Sequence, residues 1–344
     1  MKRYDYTSHA RLALTGPDRA RFLHGMVTCD VEKLALGAGS RAAMLSVKGR
    51  LLATLVVYAR PGELLLTMEA SLGDKVRALL DKHIVMDDVE VADRSALREV
   101  GYYGDDAADA VASLGFDAAA LRALHPYHQL ESSGVVVARD PSLGGVGFRV
   151  LGDAPSLPSG VMSDEARECL RVEAGTARYG VDLDEERLVV EANLEDAISF
   201  DKGCYLGQEV VVRATTRGRV NRRLVGLVVS GAGAAARGKL TAAAQAEAGL
   251  VTSSVDSARF GGPLALAYVR CAALDADEPL TLDGTTRTAL PVGLPFEPSA
   301  VAAARARLAH PCQCDGDEGI LSTFASAAPR VTRWAWETTA VRRR

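Results

Sequence analysis

The residues of this chain best equipped for chemistry are gathered in Asp201-Lys-Gly-Cys-Tyr-Leu-Gly-Gln-Glu209. A thiol, Cys204, stands two positions from the ammonium of Lys202, between Gly203 and Gly207, with Tyr205, Gln208 and Glu209 beside it. If residues 202–205 run extended, positions 202 and 204 share a face. An ammonium there favours the thiolate, the nucleophilic form of cysteine. The glycines permit close backbone approach or a positive φ, as loops over ligands often require. A cysteine without such neighbours is usually a small buried hydrophobe. No His and Asn arrangement can be matched to Cys204 as in papain-type enzymes, and one thiol is too few to hold an iron–sulfur cluster by itself.

Two further clusters flank this loop. Arg213, Arg217, Arg219, Arg222 and Arg223 fall within eleven residues that contain no acidic side chain. They read either as a solvated edge strand or as a site for a phosphate or polycarboxylate. Upstream lies Arg171-Val-Glu-Ala-Gly-Thr-Ala-Arg-Tyr-Gly-Val-Asp182. Glu173, on a helix facing a pocket, would accept two parallel hydrogen bonds from an amino-heterocycle; the plainer alternative is a salt bridge to Arg171 or Arg178.

The elements that must position these groups follow from hydrophobic periodicity and turn residues. Asp18 or Gly16 starts a helix over 18–25. Residues 42–58 read as two strands joined at Lys48-Gly49-Arg50, and 63–69 as another strand. Apolar residues at 76, 79, 80 and 84 predict a helix over 72–85. A second lobe has a helix over 105–114 and strands over 134–138 and 146–151. Ser163 caps a helix over 164–175, with acidic residues in its first turn. From residue 220 short strands at 223–230, 249–253 and 264–269, separated by Gly, Ala and Ser, predict a small β-barrel or sandwich. Phe296 is expected to end a strand and Pro298 to close that domain. Residues 299–344 begin with an alanine-arginine stretch that can be helical and show no buried-face pattern at their end, so a poorly ordered tail is expected.

Bulk properties bound the function. The chain has 344 residues, 48% hydrophobic and 24% charged, which suits about two globular domains. A net charge of −4 argues against nucleic acid or an acidic membrane as the general partner. No stretch reads as a signal peptide or a membrane span. Six scattered cysteines, with no CxxC and no metal-ligand spacing, fit a reducing, cytoplasmic setting without a structural metal. RNA binding through the arginine run is disfavoured, because no aromatic stacking platform interleaves it.

Taken together, the three clusters resemble the YgfZ-type folate-binding proteins, relatives of the glycine-cleavage T-protein (aminomethyltransferase). Lys202-Gly-Cys-Tyr-Leu-Gly-Gln-Glu209 matches the YgfZ signature without a gap, and Arg171 to Asp182 matches the shared Arg-x-Glu-Ala-Gly…Tyr-Gly-x-Asp segment. Leu14-Thr-Gly-Pro-Asp-Arg, Phe22-Leu-His-Gly25 and Thr28-Cys-Asp30 look like the family's opening. Ala265-Leu-Ala-Tyr-Val-Arg270 resembles its C-terminal barrel. The likeness runs over residues 5–297. It implies an α+β fold: a two-lobed folate-binding region over 1–222, with lobes over about 1–95 and 96–222, then a β-barrel over 223–298. It also implies tetrahydrofolate as cofactor, with Glu173 as the pterin carboxylate, Cys204 as the required thiol, and Lys202, Tyr205, Gln208 and Arg213 near the folate. Members support iron–sulfur cluster assembly or repair and, through it, tRNA modification. The expected partners are therefore folate and iron–sulfur proteins or their assembly machinery.

Two departures bear on catalysis. The T-protein's catalytic Asp falls on Lys75 here, with Asp74 beside it. Its pterin-side Asp-x-Ser-His-Met segment reads Asp5-Tyr-Thr-Ser-His-Ala10, with His9 in place of the methionine. Both weaken the alternative, a folate-dependent aminomethyltransferase or demethylase. A non-catalytic folate-binding factor is the first expectation.

Overall fold

The computed structural model describes residues 1–152, 160–216, 220–243 and 245–309. Residues 1–309 form one compact unit. Its strands are β1 (Lys2–Asp5), β2 (Ala10–Thr15), β3 (Gly39–Leu45), β4 (Leu51–Arg60), β5 (Glu63–Met68), β6 (Glu90–Asp93), β7 (Arg98–Tyr103), β8 (Gln129–Ser132), β9 (Val135–Arg139), β10 (Gly147–Gly152), β11 (Arg222–Val229), β12 (Gly238–Ala242), β13 (Gln245–Ser257), β14 (Gly262–Arg270), β15 (Leu280–Leu282) and β16 (Thr288–Val292). Its helices are α1 (Arg19–Met26), α2 (Gly73–His83), α3 (Ala107–Ala112), α4 (Ala118–Ala123), α5 (Asp164–Glu173), α6 (Gln208–Thr216), α7 (Cys271–Asp275) and α8 (Pro298–Ala309). Mixed α+β architecture is thereby observed, in two antiparallel sheets and a barrel.

The first sheet has the order β3-β4-β5-β2-β6. Strand β4 alternates buried and partly buried residues, as one packed face requires. Helices α1 and α2 cover the sheet: Phe22, Leu23, Val76 and Leu80 join Leu12, Leu55 and Leu66 in one core. The second sheet has the order β1-β7-β10-β9-β8. Its first strand comes from the N-terminus, with Lys2 opposite Tyr103 and Asp5 opposite Val100, so the chain crosses from the second sheet into the first at residues 6–9. A plain division at residue 95 misses that crossing, because four residues carry too little hydrophobic pattern to announce a partner. Ser163 caps α5, its hydroxyl accepting from the Ala166 N–H at 3.3 Å.

Strands β11-β14-β13-β12-β15-β16 close into a barrel. Strand β13 is 13 residues long with a register shift between Val251 and Ser253, so the short strand expected at 249–253 is the middle of a bulged one. Phe296 is not in a strand: β16 ends at Val292, and Phe296 packs its ring into the barrel core with Phe260. Pro298 does not close the domain but opens α8, a position where its missing N–H costs nothing. Val301 and Ala304 of that helix are buried in the same core. The expected tail therefore begins as a packed helix, and the remainder of that expectation, residues 310–344, lies outside the described residues. Among the described residues no helix is long and apolar enough to cross a membrane.

Candidate functional site

The thiol loop is built on the C-terminal end of α1. A helix end leaves its last carbonyls without intrahelical partners, and here the loop supplies them. The Lys202 Nζ donates to the carbonyl oxygens of His24, Val27 (2.7 Å) and Cys29 (2.9 Å), and Leu206 N–H donates to Gly25 O at 3.2 Å. A cation at this end also suits the helix dipole. Burial pulls the Lys202 ammonium down to about 8, against the opposing influence of Cys29, Asp30 and Glu32. The thiol that feels this charge is Cys29. Burial pushes Cys29 up to about 11, with Lys202 pulling the other way. Residues 202–205 belong to no strand or helix, and Lys202 is buried while Cys204 is exposed.

Tyr205 is buried in the core shared by the β3–β4 hairpin and the barrel, its ring centroid 4.9 Å from the Lys202 ammonium. Gln208 opens α6 and its Oε1 accepts from Tyr205 N–H at 3.4 Å. Gly207 has φ +82°, and a Cβ there would stand 2.5 Å from Ser46 O; glycine is required for the loop to pass over the hairpin tip. Arg213 pairs with Glu209 on the exposed face of α6. The arginine run is thus divided between α6 and β11. Arg222 pairs with Glu191 at 3.2 Å, while Arg217 and Arg219 lie outside the described residues.

Glu173 occupies a different place. It ends α5, is 7% exposed, and its Oε1 accepts from Ser257 Oγ (2.6 Å) and Cys169 Sγ (3.4 Å). The neighbouring Arg171 turns instead to Glu168 and Asp182, the latter at 2.8 Å.

A cavity of about 260 Å³ opens between the two sheets. His9, Arg41, Tyr58, Glu69, Tyr127, Asp140, Arg149, Thr176 and Asp196 are on its wall, with Leu55, Val56 and Met68 supplying apolar surface. None of the six residues singled out in the sequence lines it; Thr176, one turn past Glu173, does. Tyr127 holds φ +64°, an unusual conformation for a bulky residue and one that concentrates at functional sites. It is fixed by close approach to Gly39, where a Cβ would meet Tyr127 O at 2.4 Å.

The floor of the cavity is a buried charge network. Arg149 donates to Asp140 Oδ2 (2.7 Å) and Glu99 Oε1 (3.1 Å) and lies 3.8 Å over the Tyr6 ring. Glu99 Oε2 takes Arg11 from the first sheet at 2.5 Å. Burial alone would raise Asp140, but Arg149 and the Tyr103 hydroxyl (2.5 Å) hold it down at about 2. Burial and the adjacent Arg149, Arg167 and Arg11 lower His9 well below the usual imidazole range, so it is neutral at pH 7. Since a guanidinium only donates, Arg149 3.4 Å away makes His9 Nδ1 an acceptor, and Nε2 carries the proton toward Glu69 at 3.8 Å. Apart from His9, these residues escaped sequence reasoning. The available signal was a charged residue interrupting an apolar strand, as Arg149 does in β10.

Lys75, at the position of the T-protein's acid, is tied to Leu52 O (2.6 Å), Tyr179 OH (3.0 Å) and Glu185 (2.7 Å). Asp74 lines a second cavity, of about 350 Å³, with Thr7, His9, Arg77 and Asp93.

Comparison with known proteins accounts for this arrangement. Residues 2–139 match the GCVT N-terminal domain, and residues 222–296 match the glycine cleavage T-protein C-terminal barrel domain. An aminomethyltransferase of Rubrobacter xylanophilus is 32% identical over 287 residues, covering 77% of this chain and 75% of that one. The chain belongs to the glycine cleavage T-protein family. An aminomethyltransferase of Herpetosiphon aurantiacus is 29% identical, with 79% of each chain covered. The T-protein fold is seen again in the crystal structure of glycine cleavage system aminomethyltransferase T from Bartonella henselae, with a TM-score of 0.76, 23% identity and 86% of each chain covered. Aminomethyltransferases of this family bind tetrahydrofolate, so the residues of the cavity are compared with a folate. The donor set fits one: aromatic and aliphatic walls for a ring, Glu69 as an acceptor for ring N–H groups, and Arg41, 3.5 Å from Asp196, for a carboxylate.

Proposed function

We propose that the chain binds tetrahydrofolate in the cavity between its two sheets and acts in the cytoplasm through that folate. The observation that carries this reading is the cavity itself, where a strained Tyr127, Arg41 and the carboxylates of Glu69, Asp140 and Asp196 face one space with apolar walls in a T-protein scaffold. In this reading Tyr58 and Tyr127 cover the pterin ring, Glu69 accepts its N–H donors, and Arg41, 3.5 Å from Asp196, meets the carboxylates of the glutamyl tail. Glu173, held by Ser257 and Cys169, is not among the residues on the cavity wall. A titration with tetrahydrofolate followed by calorimetry tests it. Wild type binds, and Arg41→Ala with Tyr127→Ala weakens binding at least tenfold. Absence of binding by the wild type overturns the reading.

The use made of the folate divides into two readings. One-carbon transfer of the aminomethyl kind is favoured by the family, whose compared members are aminomethyltransferases. A YgfZ-type accessory role in iron–sulfur cluster assembly or repair, and so in tRNA modification, is favoured by two features. Lys75 stands where a free acid would be wanted as base, fully engaged by Tyr179 and Glu185, and Cys204 is exposed on its loop. Incubation with tetrahydrofolate and an aminomethyl donor separates them. Methylenetetrahydrofolate above background establishes transfer. No product, together with loss of iron–sulfur enzyme activity in cells carrying Cys204→Ala, establishes the accessory role.

A further inference from the structure

Strands β2 and β5 pair with Ala10 opposite Met68. The next pair in that register is His9 and Glu69, just outside both strands, so two polar side chains stand side by side on the wall of the cavity between the sheets. Each is fixed from behind by an arginine. Arg149 Nη1 lies 3.4 Å from His9 Nδ1, and Arg167 donates to Glu69 Oε1 at 3.2 Å. Both guanidiniums stack on the ring of Tyr6, 3.8 and 5.2 Å from its centroid, and His9 meets the same ring edge-on at 4.9 Å. A third, fully buried arginine, Arg11, donates to the His9 carbonyl at 3.0 Å. The two side chains are therefore oriented before any ligand arrives, which lowers the cost of binding one.

What they leave over is one donor and one acceptor. A guanidinium only donates, so His9 Nδ1 accepts and Nε2 carries hydrogen. His9 is 7% exposed, yet Nε2 has no hydrogen-bond partner among the described residues. It is not one of the unpaired atoms sealed from solvent, so it opens on the cavity beside Glu69. Glu69 Oε2 faces it at 3.8 Å, too far for a hydrogen bond between them. A planar group that accepts at one atom and donates at the next satisfies both.

We propose that His9 and Glu69 together grip the lactam edge of the bound ring, His9 Nε2–H donating to the ring oxygen and Glu69 Oε2 accepting from the neighbouring ring N–H, so that the site selects an oxo-pterin over its amino counterpart. The pair rests on the folate reading and adds to it the residue that reads the ring oxygen. In the amino counterpart an NH2 group replaces that oxygen and sets a donor against Nε2–H. The adjacent ring nitrogen loses its hydrogen and turns a lone pair toward the carboxylate. Polar sites reject such mismatches strongly, because their own groups are left unpaired.

The test is calorimetric titration of the full chain with tetrahydrofolate and with the same molecule carrying an amino group in place of the ring oxygen. Wild type should bind the oxo form at least about tenfold more tightly. His9→Ala should weaken the oxo form about fivefold and leave the amino form within about twofold, a split that general damage to the fold does not produce. Glu69→Gln should weaken the oxo form about tenfold, and carries the test if His9→Ala does not fold. Equal affinity of wild type for the two forms, or equal loss of both in the folded variants, overturns the pair and leaves folate binding standing. A wild type that binds neither form overturns the folate reading and the pair with it.

Discussion

Lys202 brings a positive charge to a place where α1 presents carbonyls with nothing else to bind. Three of them converge on its ammonium, so its role is that of a clamp holding the Cys204 loop to the first sheet. Lys202→Gln cannot reproduce three charged hydrogen bonds, and should cost about 2–3 kcal/mol of stability, measured as a shift in the urea midpoint. Cys204→Ser, exposed and outside any core, should leave that midpoint unchanged within about 0.5 kcal/mol. The loop stood out by its residue types alone. Which thiol the ammonium would face was not legible, because the contact joins residues 173 positions apart.

At the scale of elements, the joint between α5 and the barrel explains the Arg171–Asp182 segment. Arg171 donates to Asp182 Oδ2 (2.8 Å) and Ser253 Oγ (2.7 Å). Asp182 Oδ1 accepts from Thr252 Oγ1 (2.5 Å) and Ser253 Oγ (2.7 Å). Consecutive residues of a regular strand point to opposite faces; the register shift in β13 lets both hydroxyls reach one carboxylate. Asp182→Ala should strand the buried Arg171 and cost about 3–5 kcal/mol in chemical unfolding. Asp182→Asn, which keeps an acceptor, should cost less. The segment was visible in the sequence as a cluster. Its division into a structural pair and a separately placed Glu173 depends on a bulge that no local pattern announces.

For the molecule as a whole, Arg11, Glu99, Arg149 and Asp140 join the two sheets beneath the cavity. Asp140 has its carboxyl lowered from 3.8 to about 2. A carboxylate depressed in the folded state contributes stability that is complete above its unfolded value. That contribution is lost as pH falls through the folded value. Wild type should therefore lose roughly 2 kcal/mol between about pH 4 and pH 2 through this group, from 1.36 kcal/mol per unit. Asp140→Asn should start less stable and show a flatter dependence over that window, followed by thermal unfolding at each pH. A bound folate should raise the melting temperature of wild type with the logarithm of its excess over Kd, and should do so less in Arg41→Ala.

Periodicity and turn residues indicated many of the helices and strands and a small barrel or sandwich, because the side of an element that is buried is written every second residue or in a 3.6-residue cycle. The α+β class came with the family resemblance. The loop around Cys204 was likewise visible, since its special residue types sit together in the chain. Tertiary structure alone decided which side chains meet. It set β1 at the edge of the second sheet, assembled the cavity wall from residues 9 to 196, turned Lys202 toward Cys29 and His24, and sent Glu173 to Ser257. These contacts join positions remote in sequence, and their geometry comes from how packed sheets and a closed barrel fill space together, which a local pattern of hydrophobicity does not encode.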